Sequence, residues 1–185
     1  MAYVKSHEAV IFVKCSDSKY HPLGMGVESL SLSTSNEVTE KAVILYENPI
    51  STVKSGGISA TITSVIDNAD TVLKEIAINE SLGITDKDYD IIQAYLYLVK
   101  DNSSPKVLVC KKYKSKLPAN ELALAGGTEM NLSIAMSSSG KISYGYIDTE
   151  DASYDEATMS FEETIFTENP TKVEGVFVTD ITPTE

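Results

Sequence analysis

A mainly β fold with one flanking helix is what this sequence predicts, on three observations. Apolar and polar residues alternate with a period of two in several stretches; Ile58, Ala60 and Ile62 against Ser59, Thr61 and Thr63 are the clearest case. One stretch alone, behind Asp67 and Asn68, keeps a 3.6-residue period convincingly. Turn-forming pairs such as Asn48-Pro49, Ser139-Gly140 and Asn169-Pro170 break the chain between strand-like pieces.

The helix is expected over about residues 68–79. Asp67 and Asn68 are good N-cap residues, because their side-chain oxygens accept a free N–H of the first turn. Asp70 adds negative charge where the helix dipole favours it. Ala69, Val72, Leu73, Ile76 and Ala77 then form one apolar stripe, and Leu82-Gly83 reads as the exit. The strand ISATIT and this helix together, Ser55 to Gly83, are the centre of the prediction: the stripe should lie against a sheet and close one side of the core.

The other elements follow in order. Ala9–Val13 is a short apolar run between Glu8 and Lys14 and reads as a buried strand or a strand-like arm. Ser16 to Gly26 reads as a loop. Leu30 and Leu32 alternate with Ser29, Ser31 and Ser33. Ser35-Asn36-Glu37 reads as a turn and Ala42–Tyr46 as a strand, so residues 34–54 are expected to form a long hairpin reaching away from the core. Ile84 to Asp90 reads as a polar loop. Ile91–Val99 is a strand with two apolar faces, implying burial on both. Residues 101–105 make a hairpin loop to Val107–Cys110, which ends in lysines 111, 112, 114 and 116. Pro118 to Gly127 is a connection. Leu132, Ile134 and Met136 alternate with Asn131, Ser133 and Ala135, and Ser139-Gly140 turns into Ile142–Ile147. At Asp148 the composition shifts to an acidic run without apolar period, read as a flexible link. Met159–Phe166 and residues 173–181 give two further strand-like pieces. The expected organisation is a body over 1–147 and an acidic link with terminal strands or an arm over 148–185.

Composition narrows the function classes. The chain has 185 residues and is 42% hydrophobic, enough for one domain with a core. The formal net charge is −12; all 15 basic residues are lysine, and Trp is absent too. Without the planar guanidinium fork, and with this acidic balance, specific nucleic-acid binding is disfavoured. Cys15 and Cys110 lack any CxxC spacing and read as buried thiols. The run Ala9–Val13 is too short for a signal-peptide core, and nothing approaches transmembrane length, so a soluble protein made in a cytoplasm is expected, with no membrane insertion.

No catalytic, cofactor or metal motif stands up. Asp86, Asp88 and Asp90 open like a calcium loop, but position six is Ile91 instead of Gly and position twelve is Tyr97 instead of Glu. His7 and His21 have no nucleophile or second histidine at a recognised spacing. Glu162 and Glu163 would point to opposite faces of a strand. Gly24-Met25-Gly26 and Gly126-Gly127 lack the strand–helix setting of a phosphate loop. The lysines of 106–116 read as a solvated strand end or a contact with an acidic neighbour subunit. What does stand out is hydroxyl and amide on the polar faces of three strands: Ser29/Ser31/Ser33, Ser59/Thr61/Thr63 and Asn131/Ser133, none carrying a lysine. That is either an ordinary wet sheet face or a smooth surface that something slides past.

The order of parts resembles the major tail tube proteins of long-tailed bacteriophages. The resemblance rests on the long hairpin with Glu37, Glu40 and Tyr46-Glu47-Asn48, the strand ISATIT, the turn-helix IDNADTVLKEI, a strand hairpin, the Gly126-Gly127 link, the strand MNLSIAM and Gly140. It covers about residues 25–147. It implies a β-sandwich or partial barrel with a flanking helix, strands joining into a larger barrel in a hexameric ring, and rings stacked into a tube through which DNA is ejected. The implied lumen face is Ser59, Thr61, Thr63, Asn131 and Ser133; the implied inter-ring hairpin carries Glu37, Glu40, Lys41, Glu47 and Asn48. The implied partners are the chain itself, tape-measure, tail-tip and tail-terminator proteins and passing DNA. The implied place is the virion tail, assembled in the bacterial host cytoplasm, and no enzyme activity or cofactor is implied. The competing reading is a cell-surface or secreted β-sandwich binding module.

Overall fold

The structure, a computed structural model, describes residues 9–24, 27–41, 50–65, 70–100, 107–123, 131–168 and 181–183. The strands are β1 (Ala9–Lys14), β2 (Lys19–Leu23), β3 (Val27–Lys41), β4 (Ile50–Val65), β5 (Asp88–Lys100), β6 (Val107–Lys116), β7 (Ala119–Ala123), β8 (Asn131–Asp148), β9 (Tyr154–Asp155), β10 (Ser160–Glu162), β11 (Phe166–Glu168) and β12 (Ile181–Pro183), with one α-helix, α1 (Thr71–Ser81). They form one antiparallel sheet in the order β3-β4-β8-β6-β5-β1-β2-β10-β9. β7 and β11 pair with β8, and β12 pairs with β5. Among the described residues the sheet is not closed.

The alternation in the sequence decides which face is buried. Ile58, Ala60 and Ile62 of β4 and Leu132, Ile134 and Met136 of β8 point inward, where they meet Ile11 and Val13 of β1, Ile91 of β5 and Tyr113 of β6. Both halves of the sheet thus contribute to one core, and the sheet curves around it. Helix α1 closes that core with Val72, Leu73 and Ile76, lying against β2 and β7. The stripe is as expected, but the cap is not Asp67 or Asn68, which lie outside the described residues. Asp70 caps: its carboxylate accepts from the Leu73 N–H at 2.9 Å, and the helix begins at Thr71. Gly83 takes φ +71° just past the end, where glycine costs least. Glu75 then ties the helix to its neighbours, accepting from the Ser16 N–H at 2.8 Å and pairing with Lys87 at 2.6 Å.

A second apolar layer sits on the opposite face. Phe12, Ile92, Ala94, Cys110 and Ile147 project there and are covered by Phe161 and Ile165 from the C-terminal part of the chain. Ile91 and Ile92 therefore serve different layers, as the two apolar faces of that strand require.

Several local readings need correction. Ser16 to Gly26 is not all loop: residues 19–23 form β2, and Pro22 is tolerated because β10 pairs only with Lys19 and Tyr20 and needs no N–H from position 22. Ser35-Asn36-Glu37 is no turn. β3 runs straight through it, and Gly56-Gly57 of β4 bulge opposite Ser35, since the register passes from Thr34↔Ile58 to Asn36↔Ser55. Ser139-Gly140 is likewise a bulge inside one 18-residue strand, with Gly140 at φ +76°; Tyr113 faces the extra residues between Lys112↔Ser143 and Lys114↔Ser139. Part of the expected loop 84–90 and of the connection 118–127 is strand, in β5 and β7. The expected strand 42–46, the loop 101–105 and most of the piece 173–181 lie outside the described residues.

The acidic run after Asp148 is a series of tight turns. Asp148, Asp151 and Asp155 each accept a backbone N–H two residues on, at 2.9 Å in every case. The expected single strand 159–166 is β10, a 3₁₀ turn over Glu163–Ile165, and the start of β11.

Candidate functional site

The strands position a hydroxyl surface on the outer face of the curved sheet. Ser29, Thr63 and Ser133 are register partners across β3, β4 and β8. Ser31, Thr61 and Ala135 form the next row, and Ser33, Ser59 and Ser137 the third. Ser59, Thr61 and Ser137 are exposed, and Thr63 and Ser133 half-buried. Ser33 Oγ and Ser59 Oγ share a hydrogen bond of 2.7 Å across the strands. Asn131 is the register partner of Val65, one row beyond Thr63 and Ser133 at the same parity. The structure thus brings the predicted face residues onto three adjacent strands, and adds Ser137.

The hairpin residues separate from this surface. Glu37, Glu40 and Lys41 lie on the distal half of β3, opposite Lys54, Ser51 and Ile50. Pairing of β4 with β8 ends at Ser59↔Ser137, so among the described residues the distal legs pair only with each other. Glu47 and Asn48 lie outside the described residues.

Sequence reasoning missed two features. First, Lys112, Lys114 and Lys116 share the outer face, because Ser137 is the register partner of both Ser59 and Lys116. The hydroxyl surface therefore borders directly on a lysine column, and Lys114 and Lys116 are exposed at the end of β6, as a solvated strand end requires. Spacing by two is the available signal, blurred by Lys111, which faces inward between the rings of Tyr95 and Tyr144 at 5.5 and 5.8 Å. Second, Glu163 is not a residue of a strand. From the 3₁₀ turn it pairs with Lys14 of β1 at 2.6 Å and with Lys112 of β6, clamping the C-terminal segment to two strands. Lys112, then Lys14, hold its carboxyl down to about 2, against the ordinary 4.5.

Because that carboxyl is depressed in the folded chain, its stabilisation is full above pH 4.5 and lost as pH falls towards 2. Glu163 is 45% exposed, so screening leaves the two pairs worth about 1 kcal/mol together. Glu163→Gln should therefore lower stability by about that much at pH 7 and by almost nothing at pH 2. Urea melts at the two pH values check this; an equal loss at both would mean that the charge is not what holds the turn.

The calcium-like aspartates do not gather. Asp86 precedes β5, and the strand begins at Asp88, where a binding loop would have to turn. Among the described residues no group of three or more His, Cys, Asp and Glu side chains is placed to hold a metal ion. His21 pairs with Asp17 at 2.7 Å across the β1–β2 turn; His7 lies outside the described residues. Cys15 and Cys110 are buried free thiols, each pushed up to about 12 by burial.

No protein-family model and no curated protein matches this sequence. Solved structures do match. A chain from the tail of an empty gene transfer agent particle, determined with C6 symmetry, superposes with TM-score 0.52 at 12% identity, over 77% of this chain and 98% of that one. A chain of the SPP1 tail tube gives TM-score 0.51 at 13% identity, over 75% of this chain and 77% of that one. A chain from the virion of a native gene transfer agent particle gives 0.50 at 12%, over 77% and 98%. The likeness is one of fold: this chain has a tail-tube-like β fold, with one flanking helix among the described residues.

Proposed function

We propose that this chain is a structural subunit of a phage-type tail tube. Six copies form a ring, their sheets continue into a common barrel, and rings stack into a tube that conducts DNA. The observation that carries this reading is the open edge of β3. It is a 15-residue strand with a partner on one side alone among the described residues, in a chain whose fold matches a tail-tube subunit. An edge this long is a template for pairing, which a ring uses and a monomer must hide. The hydroxyl rows on β3, β4 and β8 face the channel, and the distal hairpin with Glu37, Glu40, Lys41, Glu47 and Asn48 reaches the next ring. The part of the chain from Asp148 on is a terminal segment added to the body over 1–147. Tape-measure, tail-tip and tail-terminator proteins are the further partners, and the virion tail, assembled in the host cytoplasm, is the place.

Negative-stain microscopy of the concentrated protein tests this. Rings or tubes are the expected result; monodisperse monomers at all concentrations would favour a β-sandwich binding module instead. The lumen assignment has its own check. Thr61→Lys with Ser133→Lys adds positive charge at two rows of every subunit, and each new phosphate contact raises DNA affinity and its salt dependence. Tubes should still form, since both side chains point away from the core. DNA release from particles should slow, most at low salt where screening is weakest. Normal tubes with unchanged release at both ionic strengths would take these rows out of the channel.

A further inference from the structure

Lys112, Lys114 and Lys116 occupy every second position of β6 and so project from one face, about 7 Å apart along the strand. Their face continues the hydroxyl rows through Ser137. A column of lysines at this spacing suits a polyanion backbone, which is out of place beside a surface meant to release DNA. Yet each lysine has a carboxylate beside it, although Glu163 and Asp90 also face Lys14 of β1. Lys112 pairs with Glu163. Asp90 is the direct register partner of Lys114, and Asp88 of Lys116. Cβ atoms of direct cross-strand partners lie about 4.5–5.5 Å apart, well inside the Debye length of about 8 Å at physiological ionic strength. Lys114, Lys116 and Asp88 are exposed and Asp90 is half-buried, in a cleft it shares with Lys112, Lys114 and Glu163. A phosphate approaching the column therefore meets carboxylates interleaved with the lysines.

We propose that Asp88 and Asp90 mask a latent phosphate-binding strip, cancelling Lys116 and Lys114 so that the outer face does not hold duplex DNA. The biological purpose rests on the tube reading given above; the charge masking itself does not. If the pairs merely strengthened the β5–β6 pairing, their loss would change stability and leave DNA affinity alone.

The test uses the full chain on immobilised duplex DNA, at 50 and 200 mM salt. Wild-type protein should flow through. Asp88→Asn with Asp90→Asn should be retained at 50 mM and released by 200 mM. Two unmasked lysines correspond to a slope of about −1.8 in log affinity against log salt, or about ten-fold over this range. Adding Lys114→Gln and Lys116→Gln to that variant should restore flow-through. The proposal is overturned if the folded double variant flows through at 50 mM, or if the quadruple variant is retained as strongly as the double. Should the double variant unfold, Asp88→Asn alone, at an exposed position, reads the same effect with half the slope. Retention is measured on the soluble chain, so tubes that fail to form would sink the tube reading while leaving the masking to stand or fall on the column.

Discussion

Leu73→Ala is expected to lower the stability of the isolated subunit by about 2–5 kcal/mol, and Ile76→Ala by a similar amount. Leu73 is fully buried, and Ile76 and Val72 nearly so, in the core that both halves of the curved sheet share. Truncation there removes apolar contact and leaves a cavity, because strands β1, β4, β5 and β8, tied into one ladder, have little freedom to collapse onto it. Ile78 is the internal control. It stands on the same helix but is 53% exposed, so Ile78→Ala should cost about 0.5 kcal/mol or less. Urea melts of the three variants decide the matter. A loss well under 1 kcal/mol at Leu73, or equal losses at Leu73 and Ile78, would mean that the helix does not close the core.

That contrast is legible in the sequence, since the spacing of Val72, Leu73 and Ile76 alone puts Ile78 off the stripe. Strand faces are legible for the same reason: period-two alternation says which residues share a face, and the rows Ser33–Ser59–Ser137 and Ile62–Ile134 follow it. What alternation does not say is whether the chain reverses. Ser35-Asn36-Glu37 and Ser139-Gly140 carry the residues of turns, but small and positive-φ residues are equally the residues of bulges. The outcome depends on whether a partner strand continues past the irregularity, which is a long-range fact. The cap falls a few residues from its expected place because Asp67, Asn68 and Asp70 are chemically equivalent candidates. The candidate face is readable on β4 and β8 but not on β6, because Lys111 interrupts the alternation of Lys112, Lys114 and Lys116. The clamp at Glu163 leaves no local mark: Lys14 lies 149 residues from it in sequence. The acidic run conceals its order in another way, since successive Asp-capped turns are locally satisfied and show no apolar period.

Gly145→Val should detach the C-terminal segment from the sheet. A Cβ at position 145 would collide with the Thr167 carbonyl oxygen, which is backbone and cannot rotate aside, and would press on the Phe166 ring. β11 pairs with β8 at this place, Glu168 opposite Gly145, so the ladder itself must part. Phe161, seated 4.9 Å from Phe12 and stacked 5.2 Å from Tyr20, and the clamp at Glu163 hold the segment further along, so the strain falls between them. Release would uncover Phe12, Ile92, Ile147 and the thiol of Cys110. Burial now pushes that thiol up to about 12; returned to the ordinary 9, its thiolate fraction at neutral pH rises by about three orders of magnitude. Thiol labelling should therefore find one cysteine reacting tens of times faster than in the wild type, less than the gain in thiolate because the lower-pKa thiolate is the weaker nucleophile. Cys15 is the safeguard, because it lies in the other core layer with Val13 and Leu73. Loss of the whole subunit would make both thiols fast, whereas release of the segment makes only Cys110 fast. Two slow thiols with unchanged stability would show that the segment does not rest on Gly145.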